Sequence, residues 1–152
     1  MPLSGAGRGL CGAALELVYS NPLGSSLVAE SYAFALAASG RIAEARTVAG
    51  PPDPIRRDMF WLFRTAIRGL LAIALDDRDR AESAYHALLP FAARPAGADT
   101  GVMSLWPVAQ ILGDLACYLR LPGTQAHYQD ALAVADRAHV EPWRAAALSR
   151  LM

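Results

Sequence analysis

The run Gly50-Pro51-Pro52-Asp53-Pro54 constrains this chain more than any other five residues. Its prolines lack amide donors and push the residues before them out of the α region, so neither a helix interior nor a central strand can pass through it. Short elements must therefore be built on either side, and the apolar residues there recur at helical spacing. Leu10, Ala14, Leu17 and Val18 predict a helix from about Arg8 to Ser20, stopped by Asn21-Pro22. Ser25 or Ser26 is the expected N-cap of a second helix carrying Leu27, Tyr32, Ala35 and Leu36, with Gly40 as its terminator. A short antiparallel helix, Ile42 to Ala49, completes that hairpin.

Beyond the proline run, Asp58 is the expected cap of a long apolar helix that ends at the polar cluster Asp76-Asp77-Arg78-Asp79. Its partner is expected from Arg78 to Phe91. A loop, Arg94 to Gly101, leads to a helix with Pro107 near its first turn and an end near Leu119. Thr124 is the expected cap of the next helix, and Glu141-Pro142 opens the last one, with Trp143, Ala147 and Leu151. The result is about eight helices, mostly paired. Abundant alanine and leucine with few β-branched residues agree with an all-α class.

The pairing repeats. Gly69 precedes Ala81 by twelve residues and Tyr85 follows four later, while Ala33 and Ala45 repeat the same twelve-residue spacing. Small residues are needed where two helices cross closely, and an aromatic fills the space beneath. Gly113, Tyr128 and Ala131 play similar parts in a third unit. This is the spacing of tetratricopeptide-like hairpins, which stack into a right-handed α-α superhelix. Residues 1–24 are expected to form an N-terminal helix and linker, and residues 25–152 the repeat domain.

Several segments carry a family resemblance: Ala35 to Arg46, Arg57 to Leu62, Ala84 to Ala92, Leu112 to Ala116, Ala126 to Leu132 and Glu141 to Ala145. In this order they resemble the carboxy-terminal tetratricopeptide-like region of large ATP-dependent LuxR-type bacterial transcription regulators, a region shared with multidomain nucleotide cyclases and related ATPases. The resemblance spans about Leu27 to Leu151. It implies a sensor or scaffold arm that couples an effector or partner to an ATPase module and a helix-turn-helix. No GxxxxGK[ST] loop occurs in the sequence, and no DNA-reading domain is expected after the last helix. Compared with the family, the turn from Arg120 to Gln125 reads as one residue short, with Arg120 where glycine is common, so a distorted third hairpin is expected.

Composition narrows the function. The chain has 14 basic and 14 acidic residues, so no net field draws it to nucleic acid or an anionic membrane. No apolar run reaches the ~20 residues of a membrane helix, and the amino terminus is a poor secretory signal, so a cytoplasmic location is expected. At 54% hydrophobic and 18% charged, the chain is expected to bury surface against a protein partner or a second copy, with a small-molecule effector as a further expectation. Cys11 and Cys117 lack metal spacing and read as small hydrophobes; His86, His127 and His139 show no convergence, and the acidic run at Asp76 lacks a calcium-loop pattern. No catalytic residue, metal site or cofactor is expected. From the aromatic set Tyr32, Phe34, Trp61, Phe63, Trp106, Tyr118 and Trp143, concave-face binding is assigned to Tyr32, Trp61, Trp106 and Tyr118, with Arg64 and Arg68 as anion contacts and Arg120 as another. The expected function is a non-catalytic interaction or effector-sensing domain. The alternative is a small-molecule-binding or biosynthetic helper that closes the concave face into a pocket holding a perturbed ionisable group.

Overall fold

Helix starts and stops in this chain are set by backbone chemistry that the structure, a computed structural model, makes explicit for residues 25–97 and 104–152. The helix expected from Arg8 to Ser20, Cys11 and the loop tip Ala98 to Gly101 lie outside the described residues. Seven α-helices are present among those described: α1 (Ser25–Ala38), α2 (Ile42–Ala49), α3 (Trp61–Ala74), α4 (Arg78–Leu88), α5 (Val108–Leu119), α6 (Thr124–Ala138) and α7 (Glu141–Leu151). A 3₁₀ turn, Leu89–Phe91, follows α4. The class is therefore mostly α, with one small sheet.

The first helix of each hairpin ends in the same way. Gly40, Asp76 and Arg120 take left-handed backbone conformations with φ of 78°, 55° and 60°. The amide after each reaches back five residues, Arg41 to Leu36, Asp77 to Ala72 and Leu121 to Ala116, at 2.9, 2.9 and 2.8 Å. This closure satisfies carbonyls that the helix end would leave bare, and it reverses the chain for the next helix. His139 (φ 53°) repeats it between α6 and α7, with Val140 bonded to Ala135. The expected distortion at Arg120 is thus absent from the turn itself, because Arg120 adopts the conformation that glycine would. The connection is four residues, 120–123, one longer than the three of 39–41 and 75–77.

Other boundaries differ for local reasons. Asp58 accepts from the Phe60 amide at 2.9 Å, and its carbonyl accepts from Trp61, so it closes a tight turn and α3 begins only at Trp61. Ser25 and Ser26 both lie inside α1. Asp77 caps α4 by accepting from the Arg80 amide at 3.1 Å, which explains the acidic run. Pro90 has no amide to continue α4, and the chain tightens into the 3₁₀ turn. Thr124 is the first helical residue of α6 rather than its cap; Gly123, at φ 88°, precedes it, and the Thr124 hydroxyl donates back to Leu121. Pro107 sits just before α5, near its first turn as expected.

The expected loop after α4 contains a two-stranded antiparallel ribbon, β1 (Pro95–Gly97) with β2 (Ser104–Pro107), Pro95 opposite Pro107 and Gly97 opposite Ser104. Ala96 and Pro107 are fully buried, so the ribbon leans on the helices. Its short, proline-bounded strands give no alternating pattern long enough to be read from sequence.

Packing runs along the hairpins. α1 pairs with α2, α3 with α4 and α5 with α6, while α1 also packs on α3 and α3 on α5. The middle helix α3 is buried through Leu62, Phe63, Ala66, Ile67, Gly69, Leu71 and Ala72, between α1, α4 and α5. The main core joins α3 and α4 to α5 through Leu62, Leu88, Ile111, Leu112 and Leu115. Each such side chain contributes about 1.5–3 kcal/mol on burial. A second core, with Leu36, Leu71 and Leu75, joins the first hairpin to α3. α7 rests on α6 by close approach of Ala147 to Ala109 and Ala131. Arginines stitch neighbours together: Arg46 of α2 donates to the Leu75 carbonyl at 2.8 Å, and Arg78 of α4 donates to Leu119 at 3.1 Å, each at the carbonyl end of the next hairpin's first helix.

Candidate functional site

The small residues fix the register of the first helices. Ala33, Gly69 and Gly113 each stand seven residues before the left-handed residue that closes their helix. Ala33 is fully buried. A Cβ on Gly69 would lie 3.2 Å from Leu115 and 3.3 Å from Ala84. On Gly113 it would lie 2.4 Å from the Tyr128 ring, because Tyr128 crosses directly over this backbone. Ala45, Ala81 and Ala131 are fully buried on the second helices, and Tyr85 is buried beside them.

From this register the facing residues follow. One position on from the small residue stand Phe34, Leu70 and Asp114; four on, Ala37, Ile73 and Cys117; five on, Ala38, Ala74 and Tyr118. Phe34, Leu70, Ile73, Ala74, Asp114, Cys117 and Tyr118 together line one groove of about 460 Å³, joined by Tyr128 from α6 and Arg150 from α7. Helical spacing on three helices in contact thus converts equivalent positions into one continuous surface.

The walls of α1 and α3 are apolar, and the far end is polar. Tyr128 donates its hydroxyl to Asp114 Oδ1 at 2.8 Å, and Arg150 Nη2 lies 3.3 Å from the same oxygen. Burial pushes the Asp114 carboxyl above its ordinary range, while the Tyr128 hydroxyl and Arg150 pull it back. Burial, and then the bond to Asp114, raises Tyr128 well above an ordinary phenol. Tyr118 donates to Asp76 at 2.7 Å, and this bond raises its own ionisation as well. Beyond Tyr118 the groove opens onto a polar shelf with Asp76, Arg78 and Arg120. Cys117, expected as a buried small hydrophobe, is instead an exposed free thiol on the groove wall, because it falls on the open face of α5 four residues after Gly113.

Of the six residues expected on a concave binding face, the structure brings only Tyr118 into this groove. Arg64 and Arg68 turn toward Glu30 of α1: Arg64 Nη2 lies 3.6 Å from its Oε2, and Arg68 bonds its Oε1. Arg68 also donates to the Asp53 carbonyl at 2.7 Å and ties down the proline run. These side chains are largely buried, so they balance a buried carboxylate and tie α1 to α3. Tyr32 packs with the core between the first hairpin and α3. Trp61 meets Phe91 at 5.3 Å between ring centroids, with Arg57 4.4 Å above its ring. Trp106, 39% exposed, lies on β2. Asp114, Cys117, Arg150, Leu70 and Ile73 escaped the sequence reading. All but Arg150 follow from offsets of one and four residues from Gly69 and Gly113.

A second polar contact lies between the hairpins. Tyr85 and His127 Nε2 are hydrogen-bonded at 3.0 Å, with the ring of His86 set edge-on to Tyr85. Burial lowers the His127 pKa, and Asp130 partly offsets it. Among the described residues no three His, Cys, Asp or Glu side chains group as a metal site, and no helix is long and apolar enough to cross a membrane.

Comparison with protein-family models finds no match, and no curated protein or solved structure matches the chain.

Proposed function

We propose that this chain is a non-catalytic helical-repeat domain that senses an effector or binds a protein through the groove on its first helices. In this reading the hairpins are tetratricopeptide-like and stack as a right-handed superhelix, and the domain is related to the carboxy-terminal region of LuxR-type regulators and works in the cytoplasm. The observation that carries the reading is the register. Three first helices, each closed by a left-handed residue seven positions after a small one, present equivalent residues to a single groove. A stack of this kind produces an extended concave surface without any catalytic constellation. A protein partner or a second copy would meet it through side chains that already face outward.

A second reading has one specific observation in its favour. The groove holds Asp114 and Tyr128, both with displaced ionisation, which is the signature expected of a small-molecule pocket.

Cys117 provides the test. With Cys11 replaced by serine, a photo-crosslinker attached to Cys117 samples the groove wall directly. The interaction reading expects a defined crosslinked species in cytosol, lost when Phe34→Glu places a charge on the opposite wall while the melting temperature is kept. Crosslinking that ignores Phe34→Glu, or turnover of a substrate by the purified chain at the groove, would remove it.

A further inference from the structure

Two carboxylates among the described residues, Glu30 buried and Asp114 partly so, are bonded very differently. Glu30 faces two arginines whose side chains are themselves largely buried. Asp114, with a side chain only 19% exposed, faces one arginine, and the Arg150 side chain is 56% exposed. Both contacts to Asp114 fall on Oδ1. Its Oδ2 accepts no hydrogen bond among the described residues and, unlike Oε2 of Glu30, is not shut off from solvent. An ionised carboxylate removed from most of its water, with one oxygen unbonded, gains most from a charged donor.

The surroundings define the rest of that donor. Across the groove stand Phe34, Leu70 and Ile73, which offer only hydrocarbon. The volume, about 460 Å³, lies within the range of roughly 300–1,000 Å³ typical of small-molecule pockets.

We propose that the groove binds a small organic ammonium compound, with its amine on Asp114 Oδ2 and its apolar body between Phe34 and the Leu70–Ile73 wall. Arg150 is then the resident counter-ion of the empty groove and swings outward when the ligand ammonium arrives. Its length and exposure allow that movement, whereas Tyr128, held across Gly113, keeps its bond to Oδ1. The proposal rests on the groove being the binding surface and names the chemistry of its effector.

The test is an NMR titration of the full chain at pH 7 with 2-phenylethylammonium, beside its neutral and anionic counterparts 2-phenylethanol and 3-phenylpropionate. The ammonium should move the amides of Phe34, Leu70, Ile73, Asp114 and Cys117 and bind about tenfold or more tightly than the alcohol. Asp114→Asn should bring its affinity down to that of the alcohol, and Arg150→Gln should tighten it by removing the competing cation. Equal binding of ammonium and alcohol overturns the proposal, as does preferred binding of the carboxylate, which would make Arg150 the anchor. Unchanged affinity in an Asp114→Asn protein of normal melting temperature does the same. If that variant fails to fold, Arg150→Gln decides alone, and weaker ammonium binding in it is fatal. Absence of binding by all three probes ends the ammonium assignment, while the crosslinking at Cys117 judges the interaction reading separately.

Discussion

At the scale of single residues, the tightest constraint is at Gly113. A methyl group there would meet ring carbons of Tyr128 at 2.4 and 2.6 Å, and the Tyr128 ring is buried and held by its bond to Asp114. At Gly69 the nearest atoms are 3.2 and 3.3 Å away, and the nearer is the end of a flexible leucine. Gly113→Ala should therefore destabilise by about 3 kcal/mol, near the upper end for overpacked cores. Gly69→Ala should fall within about 1 kcal/mol of the parent, since better helix propensity offsets the squeeze. Urea denaturation of both variants checks this, and Tyr128→Leu in the Gly113→Ala background should restore much of the loss. His127 supplies a pH dependence of definite sign. Its folded pKa lies below 6.5, so the unfolded chain takes up the proton first. Stability from this site is full above about pH 6.5 and falls as the pH drops through the folded pKa, where the partly buried ring must take up a charge. Denaturation midpoints between pH 7.5 and 5 should decline in the parent and flatten in His127→Gln; a parallel decline in both would place the proton elsewhere.

At the scale of elements, the helix hairpins were largely legible because their signals are local. Proline and glycine punctuation, apolar spacing of three and four, and the twelve-residue interval from Gly69 to Ala81 all act within a few turns. What could not be read depended on partners distant in sequence. Arg64 and Arg68 have the look of groove cations until Glu30, more than thirty residues earlier, is placed across α3. The β1–β2 ribbon is held by burial of Ala96 and Pro107 rather than by any pattern of its own. Arg120 is the instructive case, because its residue type argued for a distorted turn while its backbone carries the same closure as Gly40. A left-handed conformation costs an L-residue about 1–2 kcal/mol relative to glycine. Arg120 is exposed, and among the described residues no hydrogen bond or ion pair of its side chain offsets that cost. Arg120→Gly should thus stabilise the chain by about 1 kcal/mol, raising the melting temperature by roughly 2–4 °C for a domain of this size. A fall in melting temperature would mean that the side chain contributes more than its exposure suggests.

At the scale of the whole molecule, each hairpin packs chiefly on the next one along the chain, and the far end is the revealing place. α7 touches the rest mainly through α6, where Ala147 meets Ala109 and Ala131, with Arg144 bonded to Asp136 at 3.1 Å. Its one described link to the groove is Arg150 on Asp114. Trp143, Leu148 and Leu151 stay only partly buried, so α7 packs on the third hairpin with part of its apolar surface uncovered. In a linear array, stability is close to a sum of unit terms and interface terms, and the loss of an end is felt most by its neighbour. Truncation after Ala138 should therefore speed hydrogen exchange in α6 by about tenfold or more, the effect of losing roughly 1.4 kcal/mol or more of local stability. The amides of α3 and α4 should keep their protection, because the core through Leu62, Leu88 and Leu115 does not involve α7. Light scattering on the same pair of proteins reports whether α7 also holds a second copy, through a dimer that the truncation abolishes. Uniform loss of protection from α1 to α6 would show instead that the hairpins fold as one cooperative body, with the groove dependent on α7 for its whole shape rather than for one wall.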